Sequence, residues 1–107
     1  RIMDVYFAKP YLAELYQHGK TTDKKHRFQP DIIRRFIRVV DLLIELPHTT
    51  ALMQYNSLRY EKLKGDKLGR SSVRVNDQYR IEFEEHTIEG QTLATICNIV
   101  ELSNHYR

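Results

Sequence analysis

The 107-residue sequence is poor in the residues that interrupt or cross-link a chain, with one cysteine, three prolines and four glycines. Cys97 has no partner for an internal disulfide, and a free cysteine is expected to be a small core residue rather than a nucleophile. So few prolines and glycines exclude a flexible linker or a collagen-like chain. We therefore expect one domain over residues 1–107, and a free thiol suits the cytoplasm.

Long apolar runs are also missing. A secretory signal needs about 7–15 consecutive apolar residues near the start, and Asp4 and Lys9 interrupt that region. The sequence therefore predicts neither export nor a membrane partner.

Nothing in the chain has the spacing of a metal or nucleotide site. There is no cysteine cluster, no glycine-rich phosphate loop and no nucleophile elbow. No metal-ligand spacing joins the histidines outside the C-terminal tail, which are His18, His26, His48 and His86. We expect no metal and no cofactor.

The basic residues are concentrated in one segment. Residues 59–80 hold seven Lys or Arg and three Asp or Glu, a net charge of +4 in a chain whose total is +3. A positive field confined to one fifth of the chain favours an anionic partner. The alternative is a solvated strand rim whose cations only prevent aggregation.

The hydrophobic pattern predicts a strand, two helices and three strands, in that order. Helices are expected to begin at Pro10 and Pro30 and to end at Gly19 and Pro47. A period of two, typical of strands, is clearest after residue 72, and the predicted strands are residues 2–7, 72–75, 79–84 and 93–102. The fold class is α+β, with the N-terminal strand and both helices packed on an antiparallel sheet that a C-terminal three-stranded meander completes.

The second predicted helix has a basic side. Its apolar face is formed by Ile33, Phe36, Ile37, Val40, Leu43 and Ile44, and its basic side by Arg34, Arg35 and Arg38. Asp31 and Asp41 lie three or four residues from these arginines and can pair with them. A solvated face is therefore favoured over an RNA contact.

Strand parity places two arginines opposite each other. If Val75 faces Tyr79 across a turn of residues 76–78, then Arg74 faces Arg80 on the side of the sheet away from the helices. Two facing cations are unfavourable unless an anion relieves them. The hairpin end is therefore predicted to bind phosphate through exposed arginines.

Acidic residues in the same strands offer an alternative. The predicted register sets Arg70 opposite Glu84 as a neutral pair. Glu82 or Glu101 are alternative partners for the two facing arginines. In that case the hairpin is a structural ion-pair network rather than a phosphate site.

One stretch of the chain resembles the HigB branch of the RelE toxin superfamily. Residues 63–81 read LKGDKLGRSSVRVNDQYRI, close to the family pattern LKGDRxGxxxIRVNxxxR. Residues 101–106, ELSNHY, are similar to the family's closing strand and polar tail. The likeness spans about residues 58–106, while the helical half agrees only in order and length.

The resemblance implies a RelE-like fold whose sheet grips messenger RNA in the ribosomal decoding site. It implies a type II toxin that acts as a ribosome-dependent, metal-independent mRNA endonuclease and inhibits translation. The implied antitoxin is a HigA-like helix-turn-helix protein, through which alone the complex contacts operator DNA. By position, Lys64 and Arg80 match the family's cationic catalytic residues, and Arg74 matches a basic residue of the same face. The further RNA-binding candidates are Lys62, Lys67, Arg70 and Asn104.

The tail departs from the family pattern. The family commonly ends in Asp-Tyr-His and often has a histidine three residues before the catalytic lysine, where this chain has Asn104-His105-Tyr106 and Glu61. RNA cleavage by the 2′-hydroxyl needs a proton acceptor, a proton donor and cations that stabilise the added charge. His105 is favoured for proton transfer because imidazole titrates near neutral pH. Tyr106 is a candidate for base stacking or acid catalysis, and the alternative for both is strand-end packing.

Two other functions stay open. A non-catalytic RNA-binding or ribosome-associated module keeps the sheet and lacks the chemistry, as the altered tail allows. A purely protein-binding subunit has no RNA affinity and therefore no salt-dependent RNA binding.

Overall fold

The computed structural model describes residues 3–104. Its main elements are β1 (Asp4–Phe7), α1 (Pro10–His18), α2 (Pro30–Glu45), β2 (Glu61–Lys62), β3 (Ser71–Arg74), β4 (Tyr79–His86) and β5 (Ile96–Asn104). Short 3-10 segments at Thr49–Gln54, Asn56–Leu58 and Gly65–Lys67 join α2 to the hairpin of β3 and β4. Among these described helices, none has the length and apolarity needed to cross a membrane.

The strands of the described region form one sheet in the order β1-β5-β4-β3-β2. The β2-β3, β3-β4 and β4-β5 pairs are antiparallel, whereas β1 runs parallel to β5. The expectation of a wholly antiparallel sheet is therefore wrong at this edge. The last strand of the meander, β5, lies next to β1 and runs in the same direction. The α+β class, with both helices on one face, is confirmed.

Local sequence signals set the helix ends. Gly19 follows α1 with a left-handed backbone (φ +72°), and its N–H donates to the carbonyl of Leu15 at 3.0 Å, a conformation that glycine adopts without strain. Leu46 is extended (φ −77°, ψ 151°) because the next residue is Pro47. Both predicted helices are confirmed with these bounds.

The core lies between the two helices and the sheet. α2 contributes the fully buried Phe36, Val40 and Leu43, and β4 contributes Ile81 and Phe83. The buried face of α2 is rotated slightly from the predicted one. Its first turn buries Ile32, whereas Ile33 is only half-buried.

Cys97 lies in β5 and is fully buried. Burial raises the pKa of its thiol to about 12, so the thiol stays protonated and unreactive. The prediction of a core cysteine is confirmed.

The last strand begins later than predicted. Leu93 is exposed, and the carbonyl of Ala94 accepts the N–H of Thr49 rather than a strand partner. The apolar run from residue 93 therefore starts in the loop between β4 and β5, which is hydrogen-bonded to the 3-10 segment Thr49–Gln54. The strand itself runs over Ile96–Asn104.

Candidate nucleic-acid interface

The face of the sheet that points away from α1 and α2 is called the open face here. Strand alternation puts Val73, Ile81 and Phe83 on the helix side and the residues between them on the open face. The register then defines two neighbouring rows across the strands. The acid row consists of Glu61, Ser72, Glu82 and Glu101, and the arginine row consists of Arg74, Arg80 and Ser103.

The hairpin turn fixes the arginine row. The N–H of Val75 donates to the carbonyl of Tyr79 at 2.9 Å, and the Asn76 side chain accepts the backbone N–H of Tyr79 at 2.7 Å. Arg74 and Arg80 are Cα partners in this register. The predicted arginine pair on the open face is confirmed.

Arg80 is held by groups that lie toward the β2 edge. Its Nη1 lies 3.6 Å from a carboxylate oxygen of Glu61 and donates to the Ser72 hydroxyl at 3.3 Å and to the Arg59 carbonyl at 3.4 Å. Its side chain is only 13% exposed, so the expectation of an exposed Arg80 is wrong. Arg59 has a left-handed backbone (φ +48°), which is rare for a residue with a side chain. This conformation presents the Arg59 carbonyl to Arg80.

Arg74 is paired with a carboxylate in the turn. Its Nη2 lies 2.5 Å from Asp77 Oδ1, and the Asp77 side chain is 99% exposed. The hydrogen bond from Arg74 lowers the pKa of Asp77, and the charges of Arg59 and Arg35 lower it further. Exposed ion pairs contribute little to stability because water competes for both partners. A phosphate can therefore replace Asp77 at Arg74 at small cost.

In the acid row, the charge of Glu82 is neutralised by two basic residues from the segment before β3. The Glu82 side chain is only 5% exposed, and it accepts hydrogen bonds from Lys67 Nζ at 2.7 Å and Arg70 Nη1 at 2.8 Å. Burial by itself raises the pKa of Glu82, but the hydrogen bonds from Lys67 and Arg70 outweigh it, so the pKa is lowered. Arg70 also bonds Glu101 at 3.2 Å.

The predicted pairing of Arg70 with Glu84 is wrong. Arg70 precedes β3, so the ladder does not fix its position and its side chain turns to Glu82 and Glu101. Glu84 accepts instead from the side-chain amide of Asn98 at 3.3 Å. The acids that were alternative partners for the arginine row are thus bound by other cations.

Lys64 lies where the chain enters the 3-10 segment Gly65–Lys67. The segment is fixed by the Lys67–Glu82 pair and by the N–H of Leu63, which donates to the Arg70 carbonyl at 2.8 Å. The Lys64 side chain is exposed and makes no hydrogen bond or ion pair with any residue from 3 to 104. Its backbone is anchored while its ammonium group is available to a ligand.

Two predicted RNA-binding residues lie on the other side of the sheet. Lys62 is opposite Ser71, and its ammonium lies 3.8 Å from Glu85 on the helix side. Asn104 is opposite Tyr79, which packs against the core. His105 and Tyr106 lie outside the described residues.

Sequence reasoning missed the surroundings of Glu85. This largely buried carboxylate accepts hydrogen bonds from Thr49 at 2.7 Å, from Ser71 at 2.5 Å and from Tyr60. Burial, followed by the bond to Glu85, raises the pKa of Tyr60. The cluster ties the 3-10 region to the helix side of the sheet and is remote from the arginine row. Across residues 3–104, no three His, Cys, Asp or Glu side chains are grouped as metal ligands.

The chain matches a known protein family over most of its length. A family described as the HigB-like toxin, a RelE-like toxin of the type II toxin-antitoxin system HigB, matches residues 5–96. Toxin HigB-1 of Vibrio cholerae serotype O1 is 31% identical over 94 residues, which cover 87% of this chain and 93% of that protein. Fold and sequence thus define a RelE-like toxin of a type II toxin-antitoxin system. The chain belongs to the HigB-like toxin family, which confirms the resemblance of residues 63–81.

Solved structures agree on the fold. The YoeB/ParE toxin from Agrobacterium tumefaciens is 16% identical with a TM-score of 0.53, and the match covers 97% of this chain and 100% of that one. A chain of the heterotetrameric YoeB-YefM toxin-antitoxin complex from Staphylococcus aureus is 19% identical with a TM-score of 0.52, and the match covers 97% and 98%. These likenesses confirm the RelE-like fold.

Proposed function

We propose that this toxin is an endoribonuclease that cleaves messenger RNA on the ribosome and thereby inhibits translation. The observation that carries the proposal is the arginine row, in which Arg74 and Arg80 face each other and the carboxylates that pair with them, those of Asp77 and Glu61, are accessible to solvent. An RNA phosphate relieves the repulsion between two facing cations. Family membership supports the same function.

The proposed reaction is attack by the 2′-hydroxyl on the adjacent phosphate. The P–O2′ bond forms and the P–O5′ bond breaks, which leaves a 2′,3′-cyclic phosphate and a 5′-hydroxyl. Arg80 and Lys64 stabilise the negative charge that the phosphate gains, and one such donor is worth about 100- to 1,000-fold in rate. We assign proton transfer to His105, with Tyr106 as a second acid or a stacking surface for a base. This chemistry requires no metal held by the toxin.

The proposed partners follow from the same function. The Staphylococcus aureus structure is a complex of YoeB with YefM, and we propose that this chain likewise binds a cognate antitoxin, a HigA-like helix-turn-helix protein. Contact with operator DNA then occurs only through the antitoxin. Its proposed place of action is the cytoplasm, where the ribosomes and the messenger RNA are.

The test is cleavage of message on purified ribosomes, mapped by primer extension. We expect new 5′ ends that polynucleotide kinase labels without prior phosphatase treatment, because they carry a hydroxyl group. Cleavage is expected to persist when magnesium is replaced by an exchange-inert ammine complex that keeps the ribosomal subunits associated.

Three results contradict the proposal. Products with 5′-phosphates contradict the 2′-hydroxyl mechanism. RNA or ribosome binding without cleavage indicates a non-catalytic RNA-binding or ribosome-associated module. No salt-dependent RNA affinity indicates a protein-binding subunit.

A further inference from the structure

A second basic surface lies beside the arginine row. A groove of about 430 Å³ runs between α2 and the edge of β3. The basic residues that line it are Arg35 and Arg38 from α2 and Arg74 from β3, and its apolar lining includes Val39 and Val75. The fold thus brings helix arginines to the hairpin, although Arg38 and Arg74 are 36 positions apart in the sequence.

Arg38 lacks the acidic partner that the sequence suggested. Asp41 accepts a hydrogen bond from the hydroxyl of Tyr16 on α1, and Arg38 forms no ion pair within residues 3–104. Arg34 and Arg35 share Asp31, at 3.5 Å and 3.2 Å. Within residues 3–104, the ion pair with an acid that the sequence suggested is therefore present at Arg34 and absent at Arg38.

The pairs that do exist in the groove are exchangeable. The Arg35–Asp31 pair is about half exposed on both sides, and such pairs contribute little. The pKa of Asp77 is lowered first by Arg74 and also by the charges of Arg59 and Arg35. Arg35 on α2 and Arg74 on the hairpin therefore both act on the carboxylate of Asp77.

We infer that this groove binds the phosphate backbone of the RNA strand that enters or leaves the arginine row. The inference rests on the proposed function and adds a second binding surface to it. Arg74 belongs to both surfaces, so a strand held at the arginine row reaches the groove without interruption. Arg35 and Arg38 are three residues apart on one helix, about 4.5 Å along its axis, so they line one side of the strand.

The groove is expected to bind RNA of any sequence. Among residues 3–104, no aromatic side chain lines the groove, so these residues offer no base-stacking surface, and phosphate contacts carry no sequence information. Its contribution is expected to depend strongly on salt.

The experiment measures binding of a fully 2′-O-methylated RNA 12-mer, which lacks the attacking hydroxyl, by fluorescence anisotropy over a salt series. We expect Arg38→Ala to weaken binding by about three- to tenfold and to lower the salt slope by about 0.7 per lost phosphate contact. Arg34→Ala removes an arginine of the same helix that lies outside the groove, and it is expected to bind like the parent. Both substituted residues are exposed, and thermal unfolding of each variant checks that it is folded.

Three outcomes overturn the inference. The first is a parent protein that binds the 12-mer without salt dependence. The second is an Arg38→Ala variant that binds as tightly as Arg34→Ala. The third is an Arg38→Ala variant that loses affinity for a Glu- and Leu-rich helical peptide while its RNA affinity is unchanged. That result makes the groove a protein-binding site. If Arg38→Ala weakens RNA binding but the parent does not cleave, the groove stands and the endonuclease proposal fails.

Discussion

The acid row and the arginine row lie side by side on the same face of the sheet, yet the basic residues at the two rows have different acidic partners. At the acid row, Lys67 and Arg70 both pair with the buried carboxylate of Glu82. In the arginine row, Arg74 and Arg80 face each other, and their acidic partners are accessible to solvent. Basic residues in one segment are therefore not equivalent, because Lys67 and Arg70 are paired with a buried acid whereas Arg74 and Arg80 are paired with accessible acids.

The energetic consequences differ in the same way. Removing one partner of a buried pair leaves an uncompensated group and costs about 3–5 kcal/mol, whereas an exposed pair is worth about 0–1 kcal/mol. We therefore assign stability mainly to the acid row and RNA chemistry mainly to the arginine row and Lys64.

Lys64→Ala should slow cleavage of ribosome-bound message by about 100-fold or more, because an ammonium that stabilises the transition state is lost. The side chain is exposed and unpaired within residues 3–104, so the free energy of unfolding should change by less than about 0.5 kcal/mol. Single-turnover cleavage and urea unfolding measure the two effects. An unchanged cleavage rate removes Lys64 from the site.

Glu82→Gln should lower the free energy of unfolding by about 2 kcal/mol, since an amide leaves Lys67 and Arg70 without a buried counter-charge. The partners are partly exposed and regain some hydration, so the full cost of a broken buried pair is not expected. Glu84→Gln, on the same strand with a more exposed side chain, is the control and should change stability by less than about 0.5 kcal/mol. Equal urea midpoints for the two variants contradict the structural role of the acid row.

The pH dependence of stability should follow Glu82 and Glu85, whose pKa values are both lowered in the folded state. A carboxyl group with a depressed folded pKa stabilises the protein above its unfolded pKa, and this stability is lost as the pH falls through the folded pKa. The ordinary pKa of a glutamate carboxyl group is 4.5, so urea unfolding should show stability falling from about pH 5 downward. The fall should be smaller in Glu82→Gln. A variant that loses stability with the same slope as the parent shows that Glu82 does not contribute.

Asp77→Asn should strengthen RNA binding by about two- to fivefold, because it removes the exposed acid that competes with phosphate for Arg74. The turn should persist, since the Asn76 side chain, rather than Asp77, accepts its backbone N–H groups. Anisotropy with the 2′-O-methylated 12-mer measures the change. Weaker binding by Asp77→Asn indicates that this carboxylate positions Arg74 rather than competing with RNA.

The hairpin could be predicted because its information is local. A three-residue turn and a period of two fix which residues oppose each other, so the Arg74–Arg80 pair followed from the sequence. The partner of Arg70 did not, because Arg70 lies just outside the strand, where parity no longer applies. The family resemblance pointed to Lys64 and Arg80 by position, and it covers the same segment as the concentration of charge.

Other features of the site depend on tertiary contacts that leave no sequence pattern. β2 has only two residues, too few for a periodic signal, yet it carries Glu61 to Arg80. The left-handed backbone of Arg59 is equally unpredictable from a residue that usually avoids it. Arg38 lost its expected partner because α1 brings Tyr16 to Asp41, a contact between elements that only the packed fold creates.

The most direct test of the division between the two rows is single-turnover cleavage of ribosome-bound message by Arg80→Ala and Arg70→Ala. Both variants lose one arginine from the open face, and each rate is corrected for the folded fraction. We predict that Arg80→Ala cleaves at least about 100-fold more slowly than the parent, while Arg70→Ala, although less stable, stays within about tenfold. If Arg80→Ala does not fold, the cleavage rate is measured instead with Arg80→Lys, which keeps the positive charge. Equal losses in Arg80→Ala and Arg70→Ala, or a parental rate for Arg80→Ala, contradict the account.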